Sequence, residues 1–220
     1  MIEVLYEDNH LIAVNKKSGD IVQGDKTGDA PLSDFIKAYI KKEYSKPGEV
    51  FLGTIHRLDR PTSGIVLYAR TSKALSRMNE QFREKKVQKT YLAVVENLPP
   101  NTIDTLDNYL RKNQKQNKSY VTKDNNGKHA VLYYKLLKKL DNFYLMEIQP
   151  QTGRHHQIRV QLANIGCIIK GDLKYGAKRS NKDASIHLLA QKLEFVHPVK
   201  KESITIVAPA PKDSLWDACK

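Results

Sequence analysis

Hydrophobic residues recur along this chain with two different periods, and each period predicts one kind of element. Helical spacing between residues 31 and 43 predicts an amphipathic helix, whose apolar face consists of Leu32, Phe35, Ile36, Tyr39 and Ile40. Thr71 is a suitable N-cap for a second helix that runs to about residue 85, with one face formed by Leu75, Met78 and Phe82. In contrast, the unbroken apolar run of residues 65–69 follows a turn at residues 61–64 and predicts a short buried strand.

The remaining apolar segments predict mainly strands. An opening hairpin is expected at residues 4–6 and 11–14, a strand at 87–96, and a second hairpin at 130–140 and 143–149. A third helix is expected to carry Ile158, Leu162 and Ile165 and to stop at Gly166. Later strands are predicted at residues 167–170, 186–190, 193–196 and 203–207, before a last helical turn at 213–218. Hairpins interrupted by helices, without regular βαβ alternation, indicate an α+β fold with mixed or antiparallel sheets.

Residues 97–128 show the least regular pattern. Residues 111–118 within them hold four basic side chains and no acidic one. This composition is typical of a solvated flexible loop. The alternative is an arm that contacts phosphates and becomes ordered on binding, and the two interpretations are compatible.

Composition excludes several classes of protein. The 220 residues suffice for one large domain or two small ones. No apolar run approaches the ~18 residues that a membrane span needs, and the first residues resemble a strand rather than a signal peptide. Cys167 and Cys219 form no CxxC motif, so neither a disulfide framework nor a zinc site is indicated. We therefore expect a cytoplasmic protein.

The charge of the chain indicates a polyanionic partner. Thirty-seven basic residues against 24 acidic ones give a net charge of +13, and the isoelectric point is near 9.6. Such a surface supplies affinity and salt dependence but carries no sequence information. Charge alone does not separate RNA from DNA or from an anionic membrane, and a merely soluble basic protein is the plainer interpretation.

The densest cluster of chemical groups lies between residues 54 and 64. His56, Arg57, Asp59 and Arg60 fall within five residues and are followed at once by the turn that precedes the buried strand. A carboxylate flanked by two arginines is held in a positive field that favours its charged form. The alternative is a surface loop with ordinary ion pairs, each worth ~0–1 kcal/mol.

Three segments together resemble one family. Residues 56–64, H-R-L-D-R-P-T-S-G, are similar to the active-site motif of the RluA family of RNA pseudouridine synthases. Residues 89–95 resemble its K-x-Y-x-A-x-V strand, and residues 152–160 resemble its T-G-R-x-H-Q-I-R-V segment, followed by matching Gly171-Asp172 and Tyr175-Gly176. The closing segments also match, so the likeness covers nearly the whole chain. One departure is Lys17, which stands where the family's N-K-P-x-G stretch has proline.

The resemblance implies a fold and an activity. The expected fold is the pseudouridine synthase catalytic fold, α+β, with a largely antiparallel bent sheet, flanking helices and a central RNA-binding cleft. Residues 1–220 would form a single catalytic domain without the N-terminal S4 domain of some relatives. The expected enzyme is an isomerase that acts on structured ribosomal or transfer RNA as a monomer, with no metal and no other cofactor.

The resemblance also assigns roles to individual residues. Asp59 would be the catalytic carboxylate, acting as a nucleophile on C1′ of the ribose or as a base at C2′. Arg159 would hold Asp59 by a salt bridge, and Tyr91 would pack on the uracil and relay a proton.

RNA contacts are implied for four further residues. Arg57 would fill the space that the flipped base leaves, a role for which a planar guanidinium is suited. Arg154 would contact a phosphate near a helix start. Arg60 and His56 complete the RNA-binding set, with His56 expected to support the Asp59 loop.

Two other functions use the same residues. A non-catalytic RNA-binding or chaperone protein would need the basic surface but not Asp59, Tyr91 and Arg159 together. A nucleosidase-like glycosidase would let water trap C1′ and would release free uracil. The adjacent pair His155-His156 does not indicate a metal site, because neighbouring helical residues point about 100° apart and no i, i+4 partner is present.

Overall fold

The computed structural model describes residues 2–24, 28–123 and 126–220. The strands are β1 Val4–Glu7, β2 Leu11–Lys16, β3 Gly53–Thr54, β4 Ser63–Ala69, β5 Gln88–Val95, β6 Ile103–Asn113, β7 Lys118–Thr122, β8 Lys128–Lys139, β9 Tyr144–Pro150, β10 Leu188–Val196 and β11 Ser203–Val207. The α-helices are α1 Leu32–Glu43, α2 Ser72–Arg83, α3 Gln157–Asn164 and α4 Ser214–Ala218, and a short 3₁₀ helix spans Leu173–Tyr175. None of the helices in these described ranges is long and apolar enough to cross a membrane.

The chain divides into two compact units. The first comprises Met1–Gln88 and Ala190–Pro209, and the second comprises Lys89–Leu189 and Ala210–Lys220. The α+β class expected from the sequence is confirmed, since antiparallel strands and a few helices make up each unit. The expectation of one catalytic domain stays a prediction.

The first unit is built on the antiparallel strands β1, β2 and β4. Strand β2 pairs with β4 from Leu11↔Ala69 to Lys16↔Gly64, and β11 pairs with β10 at the C-terminal side of the unit. All seven residues of β4 are buried, which explains why its sequence is an apolar run without alternation. Helix α1 packs on this sheet through Leu32, Ile36 and Ile40 of the predicted apolar face, with Tyr39 partly buried beside them. Phe35, which was predicted to belong to that face, is 54% exposed.

The second unit holds five antiparallel strands in the order β5, β9, β8, β6 and β7. Helix α3 packs on them, and Ile158 and Leu162 join a core with Leu132, Met146 and Ile148. A smaller cluster beside it contains Leu110, Ala130, Val160 and Tyr175. Strand β5 and helix α3, which carry two of the predicted catalytic residues, therefore share one core.

Most predicted elements are confirmed, and three are corrected. Residues 97–128 are not an irregular loop, because β6 and β7 form a long hairpin within them. In β6, Leu106 and Leu110 are the well-buried side chains, and their spacing of four concealed the strand's period of two. The strand predicted at residues 167–170 is reduced to one bridge, Val95↔Ile169. Finally, the strands predicted at 186–190 and 193–196 are replaced by the single strand β10.

Candidate active site

The segment that carries Asp59 connects β3 to β4 in the first unit, and the side chain of Lys16 binds its backbone. The ammonium group of Lys16 donates hydrogen bonds to the carbonyl oxygens of Lys17 at 2.9 Å, Arg60 at 3.0 Å and Thr62 at 2.7 Å. The side chain is buried, with 1% of its residue exposed. The Lys16 ammonium thus holds the backbone immediately after Asp59.

Backbone hydrogen bonds add to the contacts of Lys16, and together these contacts form what we call the frame of the Asp59 segment. The amide of Thr62 donates to the carbonyl of Asp59 at 3.0 Å, which closes a turn, and the amide of Gly19 donates to the carbonyl of Arg60 at 3.0 Å. Burial lowers the pKa of Lys16 to about 8, while the charges of Asp20 and Asp59 act in the opposite direction. Lys16 is therefore charged at neutral pH and contributes positive potential at Asp59.

The turn ends at Gly64, where only glycine fits. Its φ of +113° lies in the region that side chains avoid, and a Cβ there would lie 2.3 Å from the carbonyl oxygen of Ala190. The S-G pair of the motif therefore reflects close backbone packing between β4 and β10 within the first unit.

The other motif residues lie on the same segment. His56 accepts a hydrogen bond at Nε2 from the amide of Leu67 at 3.0 Å and stacks on Phe82 with ring centroids 5.3 Å apart. Arg57 is exposed. Arg60 is half-exposed and pairs with Asp29 at 2.8 Å. This geometry matches a supporting position for His56, while the RNA contacts of all three side chains stay predictions.

In the second unit, the T-G-R-x-H-Q segment forms a closed loop before helix α3. The side-chain oxygen of Gln157 accepts hydrogen bonds from the hydroxyl of Thr152 at 2.7 Å and from the amide of Arg154 at 3.0 Å. The side chain of Arg154 is exposed, and its Nε donates to the carbonyl of His129 at 2.8 Å. The loop thus presents Arg154 at the surface beside the helix start.

Arg159 lies on α3 and forms a bidentate ion pair with Asp172. Its Nε donates to Oδ2 and its Nη2 to Oδ1, both at 2.7 Å. The two side chains are almost fully buried, at 5% and 1% exposed. Pairing of Arg159 with Asp59, which the family resemblance implies, stays a prediction.

Tyr91 lies in β5, where it pairs in register with Ile148 of β9. Its side chain is half-buried and packs against the core cluster of the second unit. The strand position predicted for Tyr91 is confirmed, and its role on the uracil stays a prediction.

Tyr175 connects Arg159 to strand β7. The Arg159 guanidinium carbon lies 5.1 Å from the centre of the Tyr175 ring, within cation–π range. The Tyr175 hydroxyl accepts a hydrogen bond from the amide of Ser119 at 2.9 Å and lies 3.0 Å from Nδ1 of His156. Burial and then the charge of Arg159 lower the pKa of His156 to about 2, so this imidazole is neutral at physiological pH.

The basic segment of residues 111–118 forms the end of the β6–β7 hairpin, which we call the basic hairpin, residues 103–122. Polar contacts join its tip to other segments of the second unit, to which the hairpin belongs. Nδ1 and Nε2 of His155 lie 2.8 Å from the hydroxyl of Ser119 and 3.1 Å from Oδ1 of Asn117. The ammonium group of Lys174 donates to the carbonyl of Asn117 at 3.2 Å. The side chains of Arg111, Lys112 and Lys115 remain exposed.

The described residues thus fall into two sets. The first unit holds His56, Arg57, Asp59 and Arg60 on one segment, and the second unit holds Tyr91, Arg154 and Arg159 on one core. Lys16, Asp172 and Tyr175 lie in segments that match the family, but no role is predicted for them from the sequence. Their motifs, N-K-x-x-G and G-D-x-x-Y-G, were the signal that could have marked them. Among the described ranges, no three His, Cys, Asp or Glu side chains gather into a potential metal site.

Comparisons with known proteins agree with the motifs. A family model described as RNA pseudouridylate synthase matches residues 10–164. The ribosomal large subunit pseudouridine synthase C of Buchnera aphidicola subsp. Acyrthosiphon pisum (strain APS) is 36% identical over 218 residues, which cover 96% of this chain and 68% of the relative. The uncharacterized RNA pseudouridine synthase YlyB of Bacillus subtilis (strain 168) is 34% identical over 216 residues, covering 96% of this chain and 70% of the relative.

A solved structure gives the same result for the fold. Human RNA Pseudouridylate Synthase Domain Containing 4 superposes with a TM-score of 0.79 at 26% identity, covering 96% of this chain and 89% of that chain. This chain spans about two thirds of the length of the curated relatives that it matches.

Proposed function

Because the chain belongs to the RNA pseudouridylate synthase family, we propose that it isomerises specific uridines in structured ribosomal RNA to pseudouridine. The choice of ribosomal RNA rests on relatives whose names specify the large ribosomal subunit. Transfer RNA, the other substrate that the family resemblance implies, is the alternative outcome of the experiment below.

One observation carries the proposal: buried Lys16 holds the backbone carbonyls of Arg60 and Thr62, directly after Asp59. Burying an ammonium group costs free energy unless hydrogen bonds compensate for the lost water. A surface loop with ordinary ion pairs would not need such a support. A carboxylate that must meet one ribose carbon in a fixed direction would need it, because small misplacements cost large factors in rate.

The proposed reaction exchanges one bond of the uridine for another. The N1–C1′ bond breaks, the uracil turns, and a bond forms between C5 and C1′. The C5 proton leaves and N1 gains a proton, so atoms and charge balance without an oxidant or a second substrate. Asp59 acts in its ionised form, either as a nucleophile on C1′ or as a base at C2′.

The other proposed catalytic residues orient this chemistry. Arg159 forms a salt bridge with Asp59 and keeps it charged and aligned. Tyr91 packs on the face of the uracil and relays the proton that C5 loses. Both residues are supported by the core of the second unit.

RNA binding is assigned to exposed cations. Arg57 occupies the space that the flipped uridine leaves, Arg60 and Arg154 contact phosphates, and His56 supports the loop. The basic hairpin adds further phosphate contacts, which the net charge of +13 favours at a distance. Tyr120, exposed on the same hairpin, offers an aromatic face for an unpaired base.

Two other functions remain distinguishable. A binding or chaperone protein on the same fold would retain RNA affinity without forming pseudouridine. A nucleosidase would release free uracil, because water instead of C5 would trap C1′.

The first experiment maps pseudouridine in total RNA from cells that lack the gene, complemented with wild type, Asp59→Asn or Asp34→Asn. Asp34 is an exposed carboxylate in the first turn of α1 and serves as the matched control. We expect one or a few ribosomal sites to disappear, and wild type and Asp34→Asn to restore them while Asp59→Asn does not. Restoration by Asp59→Asn would refute the catalytic assignment, and loss of transfer RNA sites would move the substrate to transfer RNA.

Purified protein provides the decisive test if other enzymes modify the same sites. The probe is an unmodified transcript of bacterial large-subunit ribosomal RNA that carries tritium at C5 of uridine. Wild type should release tritium without releasing uracil. RNA binding without tritium release would favour the binding function, and free uracil would favour the nucleosidase.

A further inference from the structure

Arg159 is held in one orientation by the carboxylate of Asp172. Both carboxylate oxygens accept bonds at 2.7 Å, one from Nε and one from Nη2, so the two planar groups lie in a fork-to-fork arrangement. The five N–H donors of a guanidinium lie in one fixed plane. Fixing Nε and Nη2 therefore fixes the direction in which every other donor of Arg159 points.

Asp172 is itself held rigidly. Its amide donates to the carbonyl of Ile169, and its own carbonyl accepts from the amides of Tyr175 and Ala177, each at 3.0 Å. The preceding Gly171 has a φ of +88°, and a Cβ there would lie 2.7 Å from the carbonyl of Ser185. Asp172 therefore lies in a backbone turn that leaves its carboxylate little freedom.

The Tyr175 ring gives Arg159 a second support. It lies 5.1 Å from the guanidinium carbon, and its hydroxyl is anchored to the backbone of Ser119 in strand β7. The guanidinium is thus held by a carboxylate and an aromatic ring that come from the same short loop, residues 171–177.

Energetics favour a positioning role over a stabilising one. A buried ion pair contributes little net stability because desolvation offsets most of the attraction. The pair is nevertheless almost fully buried, at 5% and 1% exposed. What a bidentate buried pair supplies is a defined direction for the arginine.

We propose that Asp172 is a positioning residue that sets the orientation of Arg159 for the reaction. The inference rests on the proposed function, in which Arg159 aligns the catalytic carboxylate. It adds that the charge of Asp172, which never touches the substrate, controls the rate of isomerisation and not the affinity for RNA.

The test compares Asp172→Asn with wild type in single-turnover tritium release, with enzyme in excess over the C5-tritiated ribosomal RNA transcript. Asparagine keeps the shape of the side chain but removes one acceptor and the charge. We expect the rate to fall by about 100-fold, the effect of a misplacement of ~1 Å. The dissociation constant for the same transcript, measured by filter binding, should change by less than about threefold.

Glu7→Gln is the matched control. Glu7 forms another well-buried arginine–carboxylate contact, to Arg70 at 2.8 Å, with the side chain of Arg70 7% exposed and that of Glu7 14% exposed. Its loss should lower the melting temperature but leave the tritium-release rate within about threefold of wild type, because the proposed mechanism gives Glu7 and Arg70 no role. An equal rate loss in Glu7→Gln and Asp172→Asn would show a general effect of destabilisation and would overturn the positioning role.

A double-mutant cycle gives a second measurement. Asp172→Asn leaves the buried charge of Arg159 without its anionic partner, and the double variant removes both charges. If Asp172 acts through Arg159, then Arg159→Met and Arg159→Met with Asp172→Asn should release tritium at rates within about threefold of each other. Multiplicative losses would mean that Asp172 acts independently and would refute the proposal. Should Asp172→Asn fail to fold, Asp172→Ser replaces it, because serine also removes the charge, and a wild-type rate in that variant likewise refutes the proposal.

The outcomes also separate this inference from the proposed function. Asp172→Asn at the wild-type rate beside inactive Asp59→Asn overturns the positioning role alone. A wild-type protein that releases no tritium, or an active Asp59→Asn, overturns the proposed function and with it the premise of the inference.

Discussion

Replacing Lys16 by methionine tests whether its hydrogen bonds hold the backbone of the Asp59 segment in place. Methionine has nearly the length of the lysine side chain but no charge and no donor. The substitution removes three hydrogen bonds, to the carbonyls of Lys17, Arg60 and Thr62, and leaves these oxygens without the ammonium group. The backbone next to Asp59 then loses its side-chain support, while the hydrogen bonds from the amides of Thr62 and Gly19 remain.

The magnitude follows from two opposing contributions. Hydrogen bonds to a charged group are worth ~1.5–3 kcal/mol each, so three of them amount to ~5–9 kcal/mol. Burial lowers the pKa of Lys16 from 10.5 to about 8, which corresponds to a cost of ~3 kcal/mol that methionine does not bear. We therefore expect Lys16→Met to lower the free energy of unfolding by about 2–6 kcal/mol and the melting temperature by about 4–24 °C.

The assay is chemical and thermal unfolding, combined with tritium release at a temperature where both proteins are folded. The matched control is Lys17→Met, because Lys17 is adjacent, exposed and carries the same charge. We expect the rate to fall by at least about tenfold in Lys16→Met and to change by less than about threefold in Lys17→Met. Equal stability of both variants would refute the proposed frame.

The pH dependence provides an independent check. The pKa of Lys16 is about 8 in the folded protein and near 10.5 unfolded, so the unfolded state binds more protons between these values and stability rises with pH there. Asp20, Asp59 and Arg60 are the charged groups that act on it. The stability difference between wild type and Lys16→Met should be flat below pH 8 and grow by up to ~3 kcal/mol towards pH 10.5. A difference that does not change with pH would show that Lys16 is not buried as described.

Three further outcomes are expected. Gly64→Ala should lower the free energy of unfolding by at least about 2–4 kcal/mol, because the new Cβ would lie 2.3 Å from the carbonyl oxygen of Ala190. The control Gly48→Ala, which has open space around its Cβ, should change that free energy by less than about 1 kcal/mol. Denaturant titration of both variants measures the difference. Thr71→Ala should cost about 1 kcal/mol, because the threonine hydroxyl accepts the amide of Ala74 at 3.2 Å, and an unchanged denaturation midpoint would contradict that cap. Neutralising Arg111, Lys112 and Lys115 of the basic hairpin should reduce the slope of log K for RNA binding against log salt concentration by about 2–3. Neutralising Lys41, Lys42 and Lys46 of the first unit removes the same charge and should reduce that slope less. Equal slopes for both sets would refute a specific contact at the hairpin.

The local pattern of hydrophobic residues was sufficient to predict an element wherever a single helical or strand period dominated the segment. The face of helix α1, the Thr71 cap of α2 and the strand after the Asp59 motif are all found where the sequence predicts them. The family and the enzyme class implied by the motifs are likewise confirmed by the comparisons. The helices and strands depend on residues that are close in sequence, and the family assignment depends on long motifs of mixed residue types. Both can be recognised in the sequence alone.

Long-range pairing was required for the remaining features. The basic hairpin escaped prediction because two solvated strands with few buried positions carry little periodic signal, and its order comes from pairing with β8. The adjacent residues Lys16 and Lys17 look alike in sequence, yet one is buried and the other exposed. Two of the three carbonyls that Lys16 binds lie 44 and 46 residues away.

The sequence by itself determined the helices, the buried strand, the family and the catalytic candidates, because each rests on local spacing or on a long mixed motif. Tertiary structure alone decided which charges are buried and what they bind, since Lys16 and Arg159 acquire their partners only when distant segments meet. Thirteen residues separate Arg159 from Asp172, and no local period relates them. Burial then turns these contacts into directional supports, because a charge removed from water must be satisfied by fixed partners.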